Sequence, residues 1–315
     1  MTATLDPTSF TYSVVIPVFN SARIVGDTVD RVVEVFADAG LSLELILVND
    51  GSTDGSWDVI SERAARLPGV VALDLMKNYG QHFANLAGLT EATGDYVITM
   101  DDDLQNPPDQ ALLLIDAAMN GHEVVFGEFE QKQHHGVRRL GSRMIGTMNS
   151  RIFGKPADLV VSNFRIMRRD VVDRIVASRT AFPYITGQAR MFSGDRANVT
   201  VRHDPRPVGK SNYSLVRIMR LVLTILFSYS SWPLRAAAVL GFAISGMSFL
   251  LGGALVIRAL VRDTVFPGWT SIMVLVSLFA GFIIALLSMI GEYVVRTLQT
   301  VSTEAQFHVV RRVAR

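Results

Sequence analysis

Three consecutive carboxylates, Asp101, Asp102 and Asp103, follow an apolar, strand-like run from Asp95 to Met100. Like charges held this close disfavour joint ionisation, so a positive partner belongs among them. Mg²⁺ and Mn²⁺ suit the position, because these hard cations take one or two protein carboxylates and complete their shells with water and phosphate oxygens. A phosphate-bearing ligand follows from that chemistry. The alternative is an acidic turn, since Leu104-Gln105-Asn106-Pro107-Pro108-Asp109 supplies turn residues and a helix start. The polar segment 127–136 carries His134 and His135, which leaves metal ligation open beside a solvated loop with the composition of a lid. A third feature is the basic run 202–210, with Arg206 and Lys210.

The elements that must position these residues alternate. Ser13 to Pro17 is an apolar strand, and Asn20 can cap a helix whose Val25, Val29, Val32, Val33 and Phe36 share a face. Leu43 to Val48 is a second strand, ending in Asn49-Asp50-Gly51-Ser52-Thr53-Asp54-Gly55, and a helix follows with Trp57, Ile60, Ala64 and Leu67 at helical spacing. Val70 to Leu75, a helix over His82 to Ala92, and Asp95 to Met100 continue the pattern. Strands are expected again over 123–126 and 158–167, with a helix over 169–177. Such alternation predicts a parallel sheet covered on both faces, with ligands bound beyond the carboxyl ends of the strands. No Gly-x-Gly-x-x-Gly follows the first strand, and Pro205 and Pro207 disqualify Gly209-Lys210-Ser211 as a Walker loop.

Bulk composition points to a membrane. The 315 residues are 49% hydrophobic, high for a purely soluble enzyme, and the net charge of +1 gives no field for nucleic acid. The absence of cysteine excludes disulfides, thiolate zinc sites and cysteine nucleophiles, and it fits a reducing compartment. Residues 1–10 have neither a basic n-region nor an apolar core, which predicts no cleaved signal peptide. From Ser211 onward, Ser214, Arg217, Arg220, Thr224 and Ser228 recur at helical spacing against a broad apolar face, suiting a membrane interface. The uncharged runs 236–257 and 269–290 are each long enough to cross about 30 Å of hydrocarbon. Arginines outside these runs outnumber Arg258 and Arg262 between them, so both termini are expected in the cytoplasm.

Together these motifs resemble the family-two glycosyltransferases of the GT-A fold, specifically the polyprenyl-phosphate glycosyltransferases. The likeness is carried by Val15-Ile16-Pro17-Val18-Phe19-Asn20, Asn49 to Asp54, Asp101 to Pro108, Phe164-Arg165, Arg206-Pro207 with Gly209, Ser211 and Tyr213, and Gly291-Glu292-Tyr293. Asn78-Tyr79-Gly80-Gln81-His82 is similar to the undecaprenyl-phosphate formamidoarabinose transferases, more than to bactoprenol glucosyltransferases or dolichol-phosphate mannose synthases. The resemblance implies an α/β GT-A domain with a Rossmann-like mixed sheet, then amphipathic interface helices and two transmembrane helices. The implied organisation is a cytoplasmic catalytic domain over 1–205, an interface segment over 206–232, spans over 233–260 and 269–292 joined by an extracytoplasmic loop over 261–268, and a cytoplasmic tail over 293–315.

The same resemblance implies a UDP-sugar donor, a polyprenyl-phosphate acceptor (undecaprenyl or decaprenyl), a divalent Mg²⁺ or Mn²⁺, inversion at the anomeric carbon, and homo-oligomers, tetramers in some relatives. Asp101 and Asp103 would hold the metal, and with Arg206 they would form the catalytic set. Pro17, Val18, Asn20, Asp50, Lys77, Gly80 and Asp102 would bind the nucleotide. Arg206, Lys210, Ser211, Tyr213, Arg217 and Arg220 would receive the acceptor phosphate; Gln105, Asn163 and Arg165 would position the donor sugar.

The chain departs from the family at Ser21, where many members have glutamate, at Asn163, where bactoprenol-type relatives have aspartate, at Asn212, and at Glu304-Ala305-Gln306-Phe307. Asn163 is no general base, yet a lipid phosphate monoester has a second pKa of about 6 and needs no proton removed. Two rival functions are a processive polysaccharide synthase, against which stand the missing Gln-x-x-Arg-Trp motif and only two spans, and a catalytically silent nucleotide-sugar-binding protein, motivated by Ser21 and Asn163.

Overall fold

The computed structural model describes residues 5–129, 160–178, 180, 182–202, 204 and 307–315, with scattered positions between 239 and 297. The chain divides into two compact units, Met1–Tyr213 with Thr303–Arg315, and Ser214–Ser302. In the first, strand and helix alternate as the periodicity predicts. Strands β1 (Thr11–Val18), β2 (Ser42–Asn49), β3 (Val70–Leu75) and β4 (Tyr96–Thr99) alternate with helices α1 (Val25–Asp38), α2 (Ser56–Arg66), α3 (Gln81–Glu91) and α4 (Gln110–Met119). There follow β5 (Val124–Phe129), β6 (Arg165–Arg168), α5 (Arg169–Ala177), α6 (Ile185–Met191), β7 (Arg196–Val201) and β8 (Val309–Ala314).

The strands form one sheet in the order β7-β5-β6-β4-β1-β2-β3-β8. β4, β1, β2 and β3 are parallel to their neighbours in that series, and β5 is parallel to β7. The all-parallel sheet expected from alternation is corrected by β6, antiparallel to β4 and β5, and by β8, antiparallel to β3. The sheet is therefore mixed, an α/β architecture of the GT-A kind. The strand expected over 158–167 also begins late, at Arg165. Just before it, the Asn163 carbonyl accepts from Thr99 Oγ1 at 2.5 Å and the Phe164 carbonyl from Ser162 Oγ at 2.8 Å, so side chains engage backbone groups ahead of the strand.

Period-two alternation divides the core. Val14, Ile16 and Val18 of β1 are buried against α1, α2 and α4, whereas Val15 is buried on the other face with α3, α5 and α6. Two layers of helix thus fix the sheet from both sides, leaving its carboxyl edge to loops. β8 is the element that periodicity did not find: residues read from sequence as part of the tail return to the catalytic sheet as its edge strand beside β3.

In the second unit, the runs 236–257 and 269–290 lie largely outside the described residues. Among the described residues no helix is long and apolar enough to cross a membrane. The described positions Val239, Met247, Leu250 and Ile257 are helical and exposed, as are Ile272, Val276, Ile283 and Leu287.

Helix α3 approaches the sheet through Gly88. A Cβ there would lie 2.3 Å from Cγ1 of Val15, a fully buried, branched side chain with nowhere to turn. Alanine would gain about 1 kcal/mol of helix propensity, but overpacking of a tight core costs about 1–3 kcal/mol. Gly88→Ala is therefore expected to lower the melting temperature of the full-length protein, and an equal or higher value in a thermal melt would contradict this packing.

Candidate active site

β1 and β4 are adjacent in the sheet, yet β1 leads to β2 and β3 on the opposite side before the chain crosses to β4. That reversal opens a crevice between the loops after β1 and β4, the position at which doubly wound folds bind ligands. The loops there are joined by side chains. Ser21 Oγ donates to Asp102 Oδ2, and the Phe19 amide donates to the same oxygen at 3.4 Å. Asn20 Oδ1 accepts from the Thr53 amide at 2.9 Å, the Asn20 amide donates to Ser52 Oγ at 3.0 Å, and the Ala22 amide donates to Asp54 Oδ2 at 3.0 Å. Asn20 has φ 51°, a left-handed conformation that asparagine tolerates, which turns the chain back toward the loop after β2.

The acidic triplet is held from three directions. Asp101 Oδ1 accepts from Gln81 Nε2 at 2.6 Å and from Asn163 Nδ2 at 2.7 Å. Asp103 is buried, and its Oδ1 accepts from the Gln105 amide at 3.1 Å, an Asx turn made possible by Leu104 at φ 56°. A leucine in that region costs on the order of 1–3 kcal/mol, strain of the kind found at functional sites. Burial pushes the half-buried Asp102 carboxyl up to about 6; the Ser21 hydrogen bond opposes this, and the charges of Asp101 and Asp103 add to it. Unlike a simple helix cap, Asp109 precedes α4 and makes no side-chain capping bond. The donor set is all hard oxygen, which fits Mg²⁺ or Mn²⁺ and offers nothing to a softer ion. Among the described residues no three His, Cys, Asp or Glu side chains gather around one point, so water and ligand oxygens would have to complete any cation's shell.

Of the residues expected at the nucleotide, several turn inward. Pro17 and Val18 are buried, so the turn after β1 presents Phe19 and Asn20 instead. Asp50 is also buried, and its two carboxylate oxygens accept from the amides of Tyr79 at 2.7 Å and Gly80 at 2.9 Å. Burial raises the Asp50 pKa against those two hydrogen bonds. The side chain therefore organises the loop after β3. Gly51 completes this contact, since a Cβ there would lie 2.5 Å from the Asn78 amide nitrogen. Lys77 extends over the Tyr79 ring, 5.2 Å from its centre, and Gly80 adopts φ 96° at the start of α3.

Behind Asp101 lies a polar cluster. Asn163 Oδ1 accepts from Asn85 Nδ2 at 3.2 Å and from an Arg165 guanidinium nitrogen at 3.5 Å, so its amide nitrogen faces Asp101. Arg165 is fully buried; burial lowers its pKa to about 10 despite the opposing influence of Tyr184 and Asp101. It donates to Thr186 Oγ1 at 2.7 Å and to the Ser162 carbonyl at 3.3 Å. His82 packs edge-on against Tyr184 with centroids 5.3 Å apart, and its buried Nδ1 has no hydrogen-bond partner among the described residues. Burial, then the nearby Arg165 charge, lowers the His82 pKa to about 4.

Arg206, Lys210, Ser211, Tyr213, Arg217 and Arg220, like His134 and His135, lie outside the described residues. Gln105 is described, and its carbonyl accepts from the Asp204 amide at 2.9 Å, tying the triplet's loop to the start of the basic run. The residue-level reading left Gln81, Asn85, Thr186 and Asp74 without roles. Gln81 lies within the Asn78-Tyr79-Gly80-Gln81-His82 motif, and Asp74 is visible as a lone charge in an apolar strand.

The family model described as Glycosyl transferase family 2 matches residues 13–176. The undecaprenyl-phosphate 4-deoxy-4-formamido-L-arabinose transferase of Edwardsiella ictaluri is 31% identical over 94% of this chain and 92% of its own. An uncharacterized glycosyltransferase, YkcC, of Bacillus subtilis is 29% identical over 90% of this chain and 88% of its own. Among solved structures, glucosyl-3-phosphoglycerate synthase from Mycobacterium tuberculosis, crystallised with Mn²⁺, UDP and phosphoglyceric acid, superposes with a TM-score of 0.52 at 17% identity, covering 70% of this chain and 77% of that one. The likeness to that structure is one of fold.

The desolvation of the half-buried His82 ring has a consequence for stability. Its folded pKa lies below the ordinary value of about 6.5, so the unfolded chain takes up the proton first and stability falls as pH drops from about 6.5 toward 4. His82→Gln is expected to flatten the melting-temperature profile of the full-length protein over that window. Parallel profiles for wild type and variant would show that the fold does not hold His82 in its neutral form.

Proposed function

Because this chain belongs to glycosyl transferase family 2 and is a glycosyltransferase, we propose that it moves a sugar from a UDP-sugar to a polyprenyl phosphate at the cytoplasmic face of a membrane. The observation that carries this reading is the junction of Asp101, Asp102 and Asp103 with the loops after β1 and β3 at the sheet's switch point. It supports a diphosphate at the triplet and a nucleotide over the loops after β1, β2 and β3. The lipid acceptor is supported by near-full-length relatives named for undecaprenyl phosphate, and by the apolar runs 236–257 and 269–290. The proposed arrangement keeps 1–205 as the catalytic domain, 206–232 at the interface and spans over 233–260 and 269–292, with the end of 293–315 contributing β8.

In this mechanism Asp101 and Asp103 would hold a divalent cation, such as the Mn²⁺ that accompanies UDP in a fold neighbour. When bound, the cation supplies Lewis-acid stabilisation of the charge on the departing diphosphate. Gln81 and Asn163 fix the orientation of Asp101, while Asp50 fixes the loop beneath the nucleotide. An oxygen of the lipid phosphate attacks the anomeric carbon as its bond to the diphosphate breaks, inverting the centre and releasing UDP. Arg206, with Lys210, Arg217 and Arg220, would bring this anion to the donor, a task for which the guanidinium fork is suited. No base is required, because the nucleophile is already ionised.

The direct test offers the purified full chain a panel of UDP-sugars with polyprenyl phosphate and identifies the lipid products by mass spectrometry. One sugar per lipid is expected, with UDP released. Repeated addition would favour a processive synthase, and UDP binding without turnover on any donor would favour a silent binding protein. Asp103→Ala is expected to lower turnover about 10²–10³-fold, in line with the loss of one transition-state charge contact. Full turnover by that variant would remove Asp103 from the site.

A further inference from the structure

The edge strand β8 meets the catalytic sheet at the strand end that leads into the nucleotide loop. Pairing runs Asp74 with Arg311 and Leu75 with Val309, so Val310 is an extra residue in the ladder. Such a bulge re-aims the side chains around it. Here Arg311 lies against Asp74, its Nε and a terminal nitrogen 2.7 and 2.6 Å from Oδ2, while its guanidinium covers the Trp57 ring at 4.5 Å. Asp74 is buried, and its other oxygen accepts from Asn49 Nδ2 at 2.7 Å. Asn49 immediately precedes Asp50, whose carboxylate holds the amides of Tyr79 and Gly80. Where that loop leaves β3, the Met76 amide donates to the His308 carbonyl at 3.0 Å.

We propose that the C-terminal strand braces the donor-nucleotide loops, with Arg311 as a positioning residue that acts through Asp74 and Asn49. The proposal rests on the reading above that UDP sits over these loops. Physically, a buried carboxylate that loses its cation must rehydrate or turn, because an unpaired buried charge is costly. Either change takes Asp74 away from Asn49 and loosens the β3 end from which the loop departs. Both ends of the Asp50 contact then lose an anchor. Donor affinity thereby depends on a strand that follows the two apolar runs in the chain, and a truncated catalytic domain would lack it.

Arg311→Met tests this in the full chain, since it keeps an apolar stem over Trp57 and deletes the charge; Arg311→Lys serves as the conservative variant. Hydrogen exchange over residues 76–82 is measured without ligand, and UDP affinity by calorimetry. Arg311→Met is expected to speed exchange at Tyr79 and Gly80 and to weaken UDP about tenfold, within the usual range for coupling between sites, while KM for polyprenyl phosphate stays unchanged. Arg311→Lys is expected to restore part of both losses. A lower melting temperature with unchanged exchange and unchanged UDP affinity would overturn the proposal and leave β8 a purely structural strand. Should wild type fail to bind UDP, the donor assignment falls, and exchange alone decides the brace: faster exchange supports it, unchanged exchange overturns it.

Discussion

Negative charge gathered at the end of β4 is the constraint from which the carboxyl edge follows. Three successive carboxylates cannot share one turn without donors, and each receives a different kind: side-chain amides for Asp101, a hydroxyl and an amide from the β1 turn for Asp102, and the Gln105 amide for Asp103. These donors come from separate loops, so satisfying the charge also joins the loops into one surface. Burial first, and then the charges of Asp101 and Asp103, raise the Asp102 pKa against the Ser21 hydrogen bond. A divalent cation between such a surface and a diphosphate offsets charge on both sides at once.

Asn163 is intelligible on the same grounds. It stands between a buried guanidinium and a carboxylate, and its amide accepts from the first through oxygen while donating to the second through nitrogen. An aspartate there would accept from Arg165 but face Asp101 without a proton to give. The departure from the bactoprenol-type pattern therefore need not silence the enzyme. Under the proposed mechanism the residue orients Asp101 and moves no proton, which suffices when the nucleophile is a phosphate already ionised near neutral pH.

Much of the architecture was legible along the chain. Alternating apolar residues in β1 put Val14 and Val15 on opposite faces, and the strand-turn-helix rhythm located four parallel strands within a residue or two of their observed ends. The triplet, the Asn49–Asp54 turn and the 78–82 stretch were likewise visible as polar clusters at strand ends. Harder to read were β6 and the short α6, because a four-residue strand or a seven-residue helix holds too few turns of pattern to stand out, and β7, whose residues are mostly only half-buried. Asp50 and Asn163 were recognisable as site residues, but which partner each would face was not.

By itself the sequence determined local periodicity, the chemical class of the donors at each strand end, and the family, since all of these depend on residues close together or on motifs of fixed spacing. Only the tertiary structure decided that Asp50 holds the β3 loop, that Asn163 links Arg165 to Asp101, and that Arg311 reaches Asp74 from 237 positions away. The physical reason is that a carboxylate accepts from many kinds of donor, neutral or charged. Which donor arrives is set by how the strands order and register in the sheet, and that ordering is a property of the packed chain as a whole.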